Sequence, residues 1–332
     1  MSWKSLSKFR SELMGFACLW VMLHHNSFTW PESMDTLRRF SLYGNLGVDI
    51  FLLLSGVGLY YAWSKKPVLS DFYARRFVRL LVPYVLFALP YWVWRDLYLH
   101  QGSFWLDVTQ LSLPLKGVDT TWYIPAIAVF YLLYPLIAKF LFSGDRWTRT
   151  TLLCGVVMVL CLHLNYGNSS IYQNCEIALT RSVVFLVGCA LGKSVRDGEP
   201  MASHYPALSV LWIILFTTWR ENVSLGAVWI RFCFVPLSLS ICIALCWVLE
   251  QLESCGGLRR FLRFFGERSL ELYLTHIPIK IVFYHYIPVK AWDPWGIATY
   301  AAILLISLVI STLLHPVINK LCGALVARKE TV

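Results

Sequence analysis

Charge is what this sequence has least of. Asp, Glu, Lys and Arg make up 14% of its 332 residues, while 58% are hydrophobic. A soluble globular domain carries roughly 25% charged and 45–50% apolar residues. The shortfall excludes a water-facing domain around one buried core, because lipid must solvate much of this apolar surface. Acidic residues are the scarcer sign, 19 against 29 Lys plus Arg, which leaves a formal net charge of +10. In a soluble protein that balance would suggest nucleic acid. Here the basic residues sit between apolar runs, so no nucleic-acid partner is expected. Retention on the cytoplasmic side explains them plainly, and an anionic ligand more sharply.

Metal and disulfide patterns are also missing. There are ten cysteines, but Cys18, Cys154, Cys161, Cys189, Cys233, Cys242 and Cys246 lie inside apolar runs, and no CxxC or Cys/His ligand spacing occurs. They read as small buried hydrophobes, and no metal site is expected. Lys4, Lys8 and Arg10 precede the first apolar run as in a signal peptide, yet no A-x-A-like site follows and the run contains His24-His25. A retained first helix is expected. With no soluble segment, repeat or low-complexity tail, residues 1–332 read as a single integral membrane domain.

Long apolar runs are abundant. A membrane helix needs roughly 20 mostly apolar residues. Ten segments qualify: 11–29, 44–63, 77–98, 122–142, 148–166, 171–192, 207–220, 226–250, 267–288 and 296–324. The expected fold is all-α, a polytopic membrane protein of about ten transmembrane helices in one bundle. The 15 Trp, 17 Tyr and 20 Phe suit two aromatic interfacial belts. The stretch 100–121 is too polar to span and reads as an interfacial or re-entrant piece. With the N-terminus inside, 20 Lys and Arg fall on the inner side, 6 on the outer side and 3 within spans. The positive-inside rule then predicts a multi-pass protein of the cytoplasmic (inner) membrane with both termini cytoplasmic.

Ionisable residues within such spans cost about 2.5–3.5 kcal/mol each on insertion scales and normally face the bundle interior. The sequence has His24 and His25 near the outer end of the first span, Asp49 in the second, and Glu176 and Arg181 in the sixth. Arg231 lies in the eighth, and Glu271, His276 and Lys280 along the ninth. Pairing between helices is the plain reading for Glu176 with Arg181 and for Arg231 with a carboxylate. His25 and Asp49 are different. The first two spans form a hairpin that brings both to one depth, and a carboxylate holding an imidazole in one tautomer makes a general base. His24 points about 100° away around the helix. At the inner start of the third span, Arg76 and Arg79 share a face with Arg75 beside them. They are either a positive-inside anchor or a fork for the phosphates of a cytoplasmic donor.

Five ordered blocks then resemble the acyltransferase family 3 membrane enzymes, which O-acylate surface sugars. They begin with Arg10-x-Glu12-Leu13-x-Gly15-x-Ala17 running into His24-His25, followed by Gly47-Val48-Asp49-Ile50-Phe51 with Ser55-Gly56. Next come Phe72-Tyr73-x-Arg75-Arg76-x-x-Arg79 with Pro83, and Thr121-Trp122-Tyr123 with Tyr131 and Pro135. The last is Gly266-x-x-Ser269-x-x-x-Tyr273-Leu274-x-His276, and Arg181 with Gly188 and Gly192 matches a further segment. Two departures stand out. Met14 occupies a position where many members carry Arg, with Arg10 one turn earlier, and Ile127-Ala128 replace the family's Glu.

The resemblance implies transfer of an acyl group, usually acetyl, from acyl-coenzyme A to a hydroxyl of an envelope sugar, polysaccharide or lipid-linked precursor. Acyl-coenzyme A would be a co-substrate, with no cofactor bound permanently. It maps the essential His to His25, for which the hairpin offers Asp49 as partner, and the coenzyme A contacts to Arg75, Arg76 and Arg79. Arg10, Trp122, Tyr123, Arg181 and His276 would contact substrate, with a core hydrogen bond the plainer reading of His276. His25 either deprotonates the acceptor or first takes the acyl group itself. The rival class is a transporter or flippase of a lipid-linked sugar, although no corresponding Gly/Pro-interrupted segments mark two repeats.

Overall fold

The computed structural model describes all residues except 28, 29, 118, 119, 223–225, 253, 254, 290–293, 331 and 332. The outer end of the expected first span, part of the 100–121 stretch and Lys290 therefore lie outside the described residues, as do the side chains of Arg328 and Lys329. The helices are α1 (Ser5–Lys8), α2 (Arg10–His24), α3 (Asp35–Leu42), α4 (Leu46–Lys65) and α5 (Leu69–Trp92), which runs on as a π-helical turn, Val93–Tyr98. Then follow α6 (Phe104–Val108), α7 (Ser112–Lys116), α8 (Tyr123–Phe142), α9 (Arg146–Tyr166), α10 (Ser170–Leu179) and α11 (Ser182–Asp197). The last are α12 (Tyr205–Asn222), α13 (Ala227–Gln251), α14 (Gly256–Glu267), α15 (Ser269–Tyr286) and α16 (Pro294–Glu330). Among the described residues there is no strand, only an isolated bridge between Ser2 and Pro200.

Seven helical stretches of the described residues are long and apolar enough to cross a membrane: Asp35–Lys65, Leu69–Tyr98, Tyr123–Phe142, Arg146–Tyr166, Ser170–Asp197, Val228–Gln251 and Pro294–Ala327. The other three expected spans fall short for physical reasons. α2 has 15 residues, about 22 Å at 1.5 Å per residue, against a hydrocarbon core of about 30 Å. α12 has 18 residues and ends in Arg220, Glu221 and Asn222. α15 has 18 residues and carries Glu271, His276, Lys280 and His285.

The chain forms two compact units. The first comprises Met1–Ala17, Leu46–Leu69 and Phe130–Glu267. Lipid is as apolar as Leu, so its helices associate by close packing and small residues rather than by escape from water. The motif glycines supply that packing. A Cβ added to Gly56 would sit 2.5 Å from the Phe185 carbonyl oxygen, and one on Gly188 2.2 Å from that of Leu53, so α4 and α11 touch backbone to backbone. Ile50, Leu53 and Leu54 are fully buried beside this contact, and the rings of Phe130 and Phe185 stack at 4.6 Å. Gly15 and Gly266 make the equivalent crossing of α2 and α14. Glu12, also buried, is met there by Arg263 at 2.7 Å and Arg259 at 3.5 Å.

The polar ends of this unit are tied by short bonds. Asp145 caps α9 by accepting from the Thr148 N–H at 2.7 Å. The Thr148 side chain and N–H hold the Asp145 carboxyl below the usual range. α11 stops at Gly198, whose φ of +67° suits a left-handed helix end. Beyond it Glu199 pairs with Arg146 at 2.9 Å.

The second unit comprises Cys18–Asn45, Ser70–Val129 and Arg268–Val332. α3 packs on the end of α2. The Trp20 indole donates to the Phe40 carbonyl at 2.8 Å, and the His24 Nδ1 lies 3.2 Å from the Ser41 carbonyl. The polar stretch after α5 does not span, and α6 and α7 have five residues each. Arg95 fixes it by pairing with Asp96 at 2.6 Å and Asp107 at 2.5 Å. Burial pushes the Asp107 carboxyl up, but the Ser103 N–H, the Ser112 side chain and Arg95 outweigh it and hold the group low. α15 and α16 share a polar seam, with Thr275 and Ser311 hydroxyls 3.3 Å apart and Glu271 paired to His315 at 2.8 Å.

Candidate active site

His25 follows the last residue of α2, and its N–H still donates to the Val21 carbonyl at 3.1 Å. The His25 carbonyl, past the helix end, accepts from the Lys280 ammonium of α15. A carbonyl at a helix terminus lacks an intrahelical donor, so this contact satisfies it. The His25 ring meets the His276 ring with Nδ1 2.9 Å from Nε2 and centroids 5.0 Å apart. His276 is 1% exposed, and its Nδ1 lies 2.5 Å from the Leu272 carbonyl one turn back on α15. Tyr300 of α16 donates to the Met22 carbonyl at 2.6 Å, and Tyr284 to the Asn26 side chain at 3.1 Å. The histidine pair is thus held on both sides of its backbone within the second unit.

The same unit holds the aromatic motif residues. The Tyr123 N–H donates to the Tyr273 hydroxyl at 3.2 Å, and that hydroxyl donates to the Thr120 carbonyl at 3.0 Å. Trp122 and Tyr123 present neighbouring rings 6.2 Å apart. On the first turns of α5, Arg75 pairs with Asp71 at 3.6 Å and Arg76 lies over the Phe72 ring at 5.9 Å. Arg75 and Arg79 are exposed.

The first unit holds the other expected site residues. Asp49 lies 3.3 Å from the Arg181 guanidinium, with both side chains 2% exposed. Glu176 pairs with Arg231 at 3.6 Å. Arg10 lies along α4, its guanidinium 3.5 Å from where a Cβ on Gly58 would stand. Each member of the expected His25–Asp49 pair therefore has a partner inside its own unit. Among the described residues no group of three or more His, Cys, Asp or Glu side chains is arranged to hold a metal ion.

A family described as an acyltransferase domain matches residues 13–315, a stretch that contains the histidine pair, Asp49 and the arginine cluster. The chain belongs to this acyltransferase family. Similar curated proteins include the putative peptidoglycan O-acetyltransferase YrhL of Bacillus subtilis, 24% identical over 323 residues. Another is the peptidoglycan O-acetyltransferase OatA of Listeria monocytogenes, 25% identical over 320 residues. These alignments cover 81% and 80% of this chain and 48% of each relative, so the chain spans about half the length of the curated relatives it matches. No solved structure matches.

Within the acyltransferase family match, sequence reasoning singled out His25 and His276 separately, and the structure joins them. It overlooked the tie that Tyr273 makes to the Trp122-Tyr123 segment, the Glu271–His315 pair and the role of Lys280 at the His25 backbone. Lys280 was detectable as the residue one turn beyond His276, on the same helical face.

Proposed function

We propose that the chain transfers an acyl group, acetyl in the first instance, from acyl-coenzyme A to a hydroxyl of a cell-envelope glycan. Peptidoglycan, named in both relatives, is the first acceptor to try. The observation that carries the reading is the His25–His276 contact, a part-buried imidazole pair inside the stretch that matches the acyltransferase family. His25 takes the proton of the acceptor hydroxyl as its oxygen attacks the thioester carbonyl. The C–S bond then breaks, and the imidazolium returns the proton to the departing coenzyme A thiolate. General-base help of this kind is worth typically 10²–10⁴-fold.

In this reading Arg75, Arg76 and Arg79 receive the phosphates of coenzyme A from the cytoplasmic side of the inner membrane, since guanidinium forks match phosphate oxygens. Trp122 and Tyr123 present an aromatic platform for donor or sugar, and Arg10 is a further substrate contact. Asp49, paired with Arg181, is the second element of the machinery. Both termini lie in the cytoplasm, and residues 1–332 act as one membrane acyltransferase domain.

The test is genetic and chemical. Deleting the gene should remove base-labile ester groups from the envelope glycan. The wild-type chain should restore them, and His25→Ala, expressed in the membrane at the same level, should not. Esters that persist after deletion, or full restoration by His25→Ala, would overturn the reading.

A further inference from the structure

The atoms around the two rings allow one arrangement of protons in the neutral pair. A backbone carbonyl only accepts, so the His276 nitrogen 2.5 Å from the Leu272 oxygen must carry hydrogen. That nitrogen is Nδ1, and a neutral imidazole has only one N–H, so His276 Nε2 holds a lone pair. The atom facing it at 2.9 Å is His25 Nδ1, which must therefore be the donor. With its single hydrogen on Nδ1, His25 carries its lone pair on Nε2. The order runs from the Leu272 carbonyl through His276 to His25, and it ends on a bare nitrogen.

We infer that His276 is a positioning residue that fixes the tautomer of His25, so that Nε2 of His25 is the atom that takes the acceptor's proton. The inference rests on the general-base reading of His25 and gives His276 a role other than substrate contact. An imidazole free to choose its tautomer spends part of its time with the wrong nitrogen bare, and the partner of the other nitrogen decides which is ready. A backbone carbonyl is a reference that does not titrate, and it lies one turn back on the same helix as His276. The donation from His276 is thus built into the geometry of α15. Lys280, on the next turn of that helix, fixes the other coordinate by gripping the His25 carbonyl.

The experiment compares two substitutions in membranes holding the full chain, with acetyl-coenzyme A as donor. His276→Leu fills similar volume but accepts no hydrogen bond. It should lower kcat by roughly 10²-fold or more, the scale of lost general-base help. The KM for acetyl-coenzyme A should stay within about threefold, the signature of an interaction made in the transition state. His276→Gln can place an amide oxygen where Nε2 stood, and it should recover kcat to within about tenfold of wild type. A kcat kept by His276→Leu, a rise in KM at constant kcat, or no recovery with Gln would overturn the inference.

Should His276→Leu fail to fold, nitrogen NMR of ¹⁵N-histidine-labelled wild-type protein gives the answer without it. The His25 signal, assigned by its loss in His25→Ala, should show a protonated Nδ1 and a bare Nε2, and the opposite pattern overturns the inference. Failure here is distinguishable from failure of the general-base reading. If His25→Ala is inactive and these arms fail, only the tautomer role falls, whereas an active His25→Ala removes the reading beneath it.

Discussion

Two polar sites, one in each unit, handle their buried polarity in opposite ways. In the first, charges meet as acid–base pairs, Asp49 with Arg181 and Glu176 with Arg231. In the second, the groups that meet around His25 are two imidazoles and an ammonium, and their bonds run to each other and to backbone carbonyls. An ion pair in a low-dielectric interior is a structural commitment, because either charge left alone costs several kcal/mol. A neutral imidazole chain commits little charge and keeps a proton available for transfer. The first arrangement ties helices together, and the second is the kind that the proposed general base requires.

The hardest test of that contrast removes one half of a pair. Arg181→Met should destabilise the chain by about 3–5 kcal/mol, because it strands the Asp49 carboxylate in a site 2% exposed. Loss of folded protein on detergent extraction would report it. The double variant Asp49→Leu with Arg181→Met should return the folded yield, since no charge is stranded. Its activity then divides the roles of the pair. A folded but inactive double variant places the pair in the function, and a folded, active one reduces it to helix attachment.

Lys280→Met attacks the other side of the comparison. A charge-assisted hydrogen bond is worth about 1.5–3 kcal/mol. Losing the grip on the His25 carbonyl should cost kcat roughly 10–100-fold, with the thermal midpoint kept or raised because a partly buried ammonium is gone. A fall in stability with an unchanged rate per folded molecule would put Lys280 with the structural pairs instead.

What could be read from the sequence follows the range of the interactions. Apolar length and the polar break at 100–121 are local, and both were legible. The number of spans was less so. Counting residues credited α2 with reaching residue 29, whereas the helix ends at His24, and it counted α15 despite its ionisable residues. Pairing was misjudged where the chain breaks. Glu176 and Arg181 look like neighbours on one helix, but α10 ends at Leu179 and Arg181 caps α11, so each finds its partner on another helix. His25 and His276 stand 251 positions apart. Each carried a chemical signal, but no local pattern encodes a contact over that separation. The motif glycines were legible as a signature and silent about their task, since only the helix crossings show that Gly15 and Gly266 leave no room for a Cβ.

The smallest effect belongs to the pair that lies outside both kinds of buried site. The Ser194 hydroxyl, and then the Arg146 guanidinium, hold the Glu199 carboxyl below its usual value of about 4.5. A carboxyl depressed in the folded state stabilises the fold above its unfolded value, and that contribution is lost as pH falls through the folded one. The contribution is therefore complete at neutral pH and fades below about pH 4.5. The Glu199 side chain is 39% exposed, so solvent screens the pair and its worth is below about 1 kcal/mol. Glu199→Gln should lower the thermal midpoint slightly at pH 7, and the gap from wild type should close once the pH falls below the depressed folded value, where the wild-type carboxyl is protonated too. Acyl transfer should be unchanged at pH 7. A gap that persists in acid would mean that the carboxylate's charge is not what ties α9 to the end of α11, leaving the Arg146 bond to the Ser194 hydroxyl at 2.8 Å to carry that contact.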